Sequence, residues 1–188
     1  MLSEPEKVRV GDVCSWLDYL MQRDSVEGAQ VMVDIHHHHI HEGDHYIFTV
    51  FDDDVDVAAP KIVRVVAPDT GARIHLMVHI TADGAFLWEF YENPTVLAAG
   101  NARVPWNSER NSTNATTMTA FEDSTTQAPN NDGTLLTAGF GGAHREAGAS
   151  GTVEEWVLKQ GEEYIIKVTV AANDTQVSIM LELAEHSA

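Results

Sequence analysis

In the stretch RIHLMVHITADGAFLWEFYE, residues 73–92, the segments Arg73–Thr81 and Ala85–Glu92 nearly alternate apolar and polar side chains, with the two-residue period of a β-strand. The even-numbered residues from 74 to 80 are all aliphatic, which predicts one face buried in a core. The opposite face of the same strand carries His75, Met77 and His79. Residues 82–84, Ala-Asp-Gly, predict a tight hairpin turn into a second strand over Ala85–Glu92.

Short segments rich in β-branched and aromatic residues recur along the rest of the chain and predict further strands. They cover Gln30–Ile35, His45–Phe51, Lys61–Ala67, Thr116–Phe121, Leu135–Phe140, Val153–Lys159, Tyr164–Ala171 and Gln176–Leu183. Roughly nine or ten strands, with turns every 8–12 residues and little helix, indicate an all-β fold of two packed sheets. We therefore expect a jelly-roll-like β-sandwich over residues 29–188.

Residues 1–28 have a different pattern and predict an N-terminal arm. From Asp12 onward, apolar side chains spaced three, four and seven apart indicate one face of a short helix, with Asp12 as its cap. A helix of about ten residues is marginal alone in water, so this face is expected to bind the sandwich or a neighbouring subunit. The apolar face consists of Val13, Trp16, Leu17, Leu20 and Met21.

The composition is strongly acidic: 29 Asp and Glu against 11 Lys and Arg in 188 residues give a net charge of −18. This charge repels phosphate groups, so it argues against direct binding to nucleic acid or to an anionic membrane. The single cysteine, Cys14, excludes an intrachain disulfide and is expected to be a small buried side chain. No apolar run reaches the roughly 18 residues of a membrane helix, and the acidic start does not have the apolar core of a secretory signal. We therefore expect synthesis in a cytoplasm.

The segment IHHHHIHEGDH, residues 35–45, holds six of the ten histidines. As a strand it would place His37, His39 and His41 on one face, where three imidazoles and a nearby carboxylate are candidate ligands for a divalent metal. A His-x-His pair followed by a carboxylate on a sandwich is similar to the ligand set of cupin dioxygenases, which take a further histidine from a later strand. The candidates for that histidine are His75, His79 and His144. Because four consecutive histidines point to both faces of a strand, we favour a polar strand end or subunit contact, without metal or other cofactor.

Residues 100–115 and 122–151 are rich in Gly, Asn, Ser and Thr and predict loops. Four residues are suited to fix the first loop, because Asn and Ser side chains hydrogen-bond nearby backbone groups: Asn107, Arg110, Asn111 and Ser112. Arg110 is one of few cations in an acidic chain and is expected to pair with a carboxylate of its own chain or of a neighbour. The large aromatic side chains predicted to lie in the core are Trp88, Phe90, Trp106 and Trp156. The sequence contains no nucleophile elbow, phosphate loop or paired-carboxylate motif, so it predicts no catalytic residue.

Six segments stand in a fixed order: HHHIHEGDHYIF, LWEFYENPTV, PWNSERNSTNATTMT, DGTLLTAGFGG, VEEWVLKQGEEYIIKVT and the closing LELAEH. They resemble a family of tailed-phage virion proteins with a His-rich HxIHxG start, an LYE strand, an N-x-x-R-N-S loop, an LKQ-x-x-x-Y hairpin and an end near W-x-EH. The resemblance covers about residues 35–186. It departs from the family at Leu183 and Ala184, which stand where members have an aromatic residue before the final Glu-His.

The resemblance implies a structural protein of the virion, not an enzyme, that decorates or cements the phage head as a symmetric oligomer. A homotrimer bound to the major capsid protein on the capsid surface is the expected assembly. The expected contacts to the capsid or to a second subunit are Val13, Trp16, Leu17, Leu20 and Arg110. Two other functions stay open. One is a tail or head-fibre module that binds host surface glycans through loops such as 100–115 and 139–152; the other is a cupin-like metal-binding enzyme.

Overall fold

The computed structural model describes residues 22–23, 30–31, 35–126, 131–142 and 149–187. The helix predicted in the arm, with Val13, Trp16, Leu17 and Leu20, lies outside the described residues, as do Cys14 and His144. The chain divides into two compact units, Met1–His38 and His39–Ala188. In the described ranges no helix has the length and apolar character that a membrane span requires.

The described ranges contain fifteen strands and one helix. In chain order they are β1 (Gln22–Arg23), β2 (Gln30–Val31), α1 (Ile35–Glu42), β3 (His45–Val55), β4 (Lys61–Val66), β5 (Ala72–Ala82), β6 (Phe86–Glu92), β7 (Val96–Ala98), β8 (Asn101–Arg103), β9 (Trp106–Asn107), β10 (Thr119–Glu122), β11 (Thr125–Thr126), β12 (Thr134–Gly141), β13 (Ala149–Val157), β14 (Glu163–Val170) and β15 (Thr175–Ser187).

Two large antiparallel sheets form the fold of the second unit. The six-stranded sheet has the order β12-β6-β14-β4-β10-β8, and the five-stranded sheet has the order β13-β5-β15-β3-β9. β15, with 13 residues, lies at the centre of the second sheet and pairs with β5 on one side and β3 on the other. β7 pairs with β11, and β1 pairs with β2 within the first unit. The prediction of an all-β, two-sheet sandwich is confirmed.

The core lies between the facing sides of the two sheets. The alternation that predicted β5 is present, because its even-numbered residues from Ile74 to Ile80 are at most 2 % exposed. Trp88 and Phe90 are buried as predicted. The Phe90 ring lies 5.6 Å from those of both Tyr164 and Trp156, stacked on the first and edge-on to the second. The contact of Phe90 with Tyr164 lies within the six-stranded sheet, and its contact with Trp156 on β13 connects the two sheets.

The predicted hairpin between β5 and β6 is wrong. β5 belongs to the five-stranded sheet and β6 to the six-stranded sheet, so residues 83–85 cross from one sheet to the other. Asp83 fixes the crossing to β15, since its N–H donates to the Gln176 carbonyl at 3.2 Å and its Oδ1 accepts the Gln176 N–H at 2.9 Å. Because of this crossing, the apolar sides of β5 and β6 face each other across the core from opposite sheets.

A buried cation joins the two sheets at their margin. Lys61 at the start of β4 is 9 % exposed, and its Nζ lies 2.8 Å from Asp52 Oδ2 on β3 and 2.5 Å from Asp123 Oδ1 after β10. Burial alone would lower the pKa of Lys61, but the two carboxylates outweigh it and raise that pKa. The hydrogen bond from Lys61 in turn lowers the pKa of Asp52.

Candidate functional site

The histidine tract is helical, which overturns the strand geometry on which its metal-binding interpretation rested. α1 ends in a Schellman motif: the Asp44 N–H donates to the His39 carbonyl at 3.0 Å and the Gly43 N–H to the Ile40 carbonyl at 3.1 Å. Gly43 has the positive φ of 75° that this cap requires. A helix rotates about 100° per residue, so His39 points away from His37 and His41 rather than joining them on one face. Gly43, the glycine in HEGDH, therefore ends the helix.

The turn after α1 is fastened to the loop that contains the N-x-x-R-N-S motif. Asn107 on β9 is 9 % exposed, and its Nδ2 donates to the Gly43 carbonyl at 2.7 Å. The Asn114 Nδ2 donates to the same carbonyl at 3.3 Å, and the Ser108 N–H donates to the His45 carbonyl at 2.9 Å. A Cβ added to Gly43 would collide with the Ser112 side chain. The turn after α1 and this loop are therefore held together by several hydrogen bonds.

Asn107 also organises its own loop. Its Oδ1 accepts the Glu109 N–H at 2.9 Å, and its carbonyl accepts a hydrogen bond from Arg110 at 3.3 Å. Glu109 in turn accepts the Asn111 N–H at 2.9 Å, so its carboxylate is used inside the loop. The prediction is confirmed for the side chains of Asn107 and Arg110, whereas Asn111 takes part in these contacts through its backbone N–H.

The end of β15 is hydrogen-bonded to the turn after α1 and to the loop that follows β9. The Glu185 N–H donates to the Asp44 carbonyl at 2.9 Å, and its carboxylate accepts the Thr116 hydroxyl at 2.7 Å and the Thr117 N–H at 2.9 Å. We call these interlocked segments, residues 43–46, 107–117 and 185–186, the motif junction. Three of the segments that carry the resemblance, far apart in sequence, thus meet at one end of the five-stranded sheet.

A cleft of about 590 Å³ opens beside the motif junction. Its wall includes Asp44, Tyr46, Asn114, Glu185 and His186. Burial, together with the nearby carboxylates of Glu185 and Asp44, raises the pKa of the Tyr46 hydroxyl. Two of these side chains, Asn114 and Glu185, are already hydrogen-bonded to the backbone of the junction.

Five histidines from four elements lie on the outer face of the five-stranded sheet or against it. The His186 ring on β15 lies 4.6 Å from the His75 ring on β5 and 5.0 Å from the His39 ring of α1, edge-on in both cases. His75 Nδ1 lies 2.5 Å from Glu155 Oε1 on β13. The structure thus brings His39 of the tract together with His75, one of the later-strand candidates, and adds His186, which the sequence had not singled out.

The other two histidines lie around Glu182 of β15. His79 Nε2 on β5 lies 3.4 Å from Glu182 Oε1, and His45 Nε2 on β3 lies 4.0 Å from Glu182 Oε2. His45 is 2 % exposed, and its Nδ1 is 2.6 Å from the Ser108 hydroxyl of the motif junction. The histidine-rich face and the motif junction are therefore continuous.

Trp106 and Arg110 present an open surface at the edge of this sheet. Trp106 is 66 % exposed, so its predicted place in the core is wrong. The Arg110 guanidinium lies 5.2 Å from the centre of the Trp106 ring. Both residues line a pocket of about 470 Å³, together with Ile47, Asn107 and Ser108. None of the described carboxylates forms an ion pair with Arg110, so the predicted pairing within the chain is not seen in these ranges.

A group of carboxylates stands apart from these features. Asp54, Asp56 and Asp174 are exposed and are, among the described residues, the one trio of potential metal ligands whose oxygen or nitrogen atoms all lie within 4.8 Å of one another. The Asp174 carboxyl, by hydrogen bonding and charge, raises the pKa of Asp54. The hydrogen bond to Asp174 is the main cause of this shift, and repulsion from Asp174 and Asp56 adds to it.

Comparison of the chain with known protein families, with curated proteins and with solved structures returns no match.

Proposed function

We propose that the protein is a structural component of a tailed-phage virion, a decoration or cement protein that binds the head lattice as an oligomer, with a homotrimer as the expected form. The observation that carries this proposal is the motif junction. Asn107, Asn114 and Glu185 use their side chains to hold backbone segments together, and the loop that they fix displays Trp106 and Arg110 at a sheet edge. Residues used in this way build a rigid binding surface rather than a reaction centre.

In this proposal the Trp106–Arg110 surface is the part of the described chain that contacts the major capsid protein. An exposed tryptophan with an arginine over its ring is the kind of pair that dominates binding energy when a partner covers it. The arm contributes a second contact through Val13, Trp16, Leu17 and Leu20. The net charge of −18 keeps decorated particles apart in solution and directs the protein to a shell surface rather than to packaged DNA.

The test is co-sedimentation of the purified full-length chain with heads assembled from the major capsid protein of the same genome. We expect saturable binding, with Trp106→Ala and Arg110→Ala each weakening it about tenfold or more. Phe140→Ala is the matched control, because Phe140 is 86 % exposed but lies on β12 of the other sheet. Removal of residues 1–28 is expected to weaken binding as well. Absence of binding by the unaltered chain would overturn the proposal.

The same surface favours one alternative, a module that binds host glycans. An open tryptophan ring beside hydrogen-bonding groups, around a pocket of about 470 Å³, suits the stacking of a sugar ring. This function predicts saturable binding of the isolated protein to host cells and none to heads. The cupin-like enzyme has weaker support, since the tract on which it depended is a helix.

A further inference from the structure

We infer that His39, His75 and His186 form a binding site for one divalent transition metal ion, such as Zn²⁺ or Co²⁺. The three imidazoles come from α1, β5 and β15, and the His186 ring is central, 4.6 Å from that of His75 and 5.0 Å from that of His39. This site goes beyond the proposed function and does not depend on it.

The ring spacing matches the spacing that a shared metal imposes. Two imidazoles bound to one tetrahedral zinc, each with a Zn–N bond of about 2.0–2.1 Å, have ring centres about 5 Å apart. The two observed separations lie close to that value. Nitrogen atoms of the three rings do not all lie within 4.8 Å of one another, so binding requires rotation of imidazole rings about their side-chain bonds.

A carboxylate is already placed to support one ligand. Glu155 Oε1 lies 2.5 Å from His75 Nδ1, and because a carboxylate accepts the hydrogen bond, the ring carries its proton on Nδ1. In the neutral ring this leaves the Nε2 lone pair for a metal, which is the carboxylate–histidine–metal arrangement found around protein-bound zinc. Glu155 is therefore a positioning residue in this site.

The chemistry and the charge of the chain select the kind of ion. Imidazole ligands favour Zn²⁺, Co²⁺, Ni²⁺ and Cu²⁺ over Mg²⁺ and Ca²⁺, which prefer oxygen. A net charge of −18 attracts a cation and repels an anionic ligand. A bound ion would connect His39, near the C-terminal end of α1, to two central strands of the five-stranded sheet.

The experiment must separate this site from the other histidines of the tract. The parent protein is the untagged full-length chain with His36, His37, His38 and His41 replaced by Gln, which keeps helix-forming residues in α1. Co²⁺ titration followed by its visible absorption, with equilibrium dialysis for stoichiometry, is expected to give one ion per parent chain. EDTA should reverse the binding, and the ion should raise the midpoint of urea unfolding.

Three further changes are then made in the parent. Replacing both His75 and His186 by Gln should abolish stoichiometric binding, and Glu155→Gln should weaken it about tenfold. His79→Gln is the matched control, because His79 is on the same face of β5 but lies next to Glu182, and it should bind as the parent does. Equal urea midpoints without metal show that the variants fold. The inference is overturned if the parent binds no ion, or if the variant with His75 and His186 replaced binds as tightly as the parent.

Discussion

The two faces of the five-stranded sheet differ in the contacts that their side chains make, although they are built from the same strands. On the inner face of β5, Leu76 and Val78 are fully buried in an apolar core. On the outer face, His75 and His79 are partly exposed and each lies beside a glutamate from another strand. Apolar contacts are set by composition and period, whereas the polar contacts depend on which strands become neighbours. The inner face therefore determines the fold, and the outer face is where we expect function.

The largest effect is expected from a change on the inner face. Leu76→Ala removes a fully buried side chain and should lower the free energy of unfolding by about 3 kcal/mol. Met77→Ala, one residue along β5 on the half-buried outer face, is the matched control and should cost less than about 1 kcal/mol. Urea denaturation of both variants measures the difference, and equal losses would contradict the assignment of the two faces.

Substitutions in the motif junction should lower the free energy of unfolding as substitutions in the core do, although its side chains are polar. Asn107→Ala leaves the buried Gly43 carbonyl with a poorer set of donors and removes the acceptor of the Glu109 N–H, so we expect a loss of about 2 kcal/mol. Asn111 lies four residues further along the same loop and is exposed, so Asn111→Ala should change stability by less than about 0.5 kcal/mol. Thermal unfolding followed by circular dichroism distinguishes the two. A loss in Asn111→Ala as large as in Asn107→Ala would show that the hydrogen bonds of the Asn107 side chain are not what stabilises the junction.

The ion pairs of Lys61 connect the two sheets, and the stability that they contribute should depend on pH. Because Lys61 lowers the pKa of Asp52 in the folded chain, the stability from this contact is present above the unfolded pKa of about 3.9 and is lost as the pH falls through the folded value. Lys61→Met should cost about 2 kcal/mol near pH 7 and less near pH 2. Urea midpoints measured from pH 7 down to pH 2 give the difference between the two proteins. A difference that does not shrink in acid would contradict the role of Asp52.

The smallest effect on stability is expected at the exposed surface that we assign to binding. Trp106→Ala should change the free energy of unfolding by less than about 1 kcal/mol, because the ring is largely open to solvent. The same change should reduce head binding about tenfold or more, as measured by co-sedimentation. A variant that loses stability and binding in equal proportion would assign Trp106 to the structure instead.

The sequence predicted the inner face well because burial imposes a regular period. All the long strands of the two sheets fall within a few residues of their predicted segments. Three features depended on contacts between distant residues and were missed: the crossing at residues 83–85, the short strands between residues 96 and 107, and the helix over the histidine tract. Gly43, followed by a chain that turns back into β3, was the one local signal that could have identified the helix end.

The sequence predicted some residues of the candidate site but not how they come together. The tract contributed His39, and the alternation of β5 contributed His75, but nothing in the sequence placed His186 beside them, because that contact follows from the register of β15 against β5. Trp106 was assigned to the core because large aromatic side chains are usually buried. Its exposure follows from the position of β9 at the sheet edge, where it pairs with only two residues of β3.

The most direct test of the proposed function is a cryo-EM reconstruction of the phage particle whose genome encodes this chain. The proposal predicts density for the sandwich on the outer surface of the head, at positions where capsid subunits meet, with Trp106 and Arg110 at the contact. Density for the sandwich at the tail or on a fibre, or a complete head without it, would contradict the assignment to the capsid.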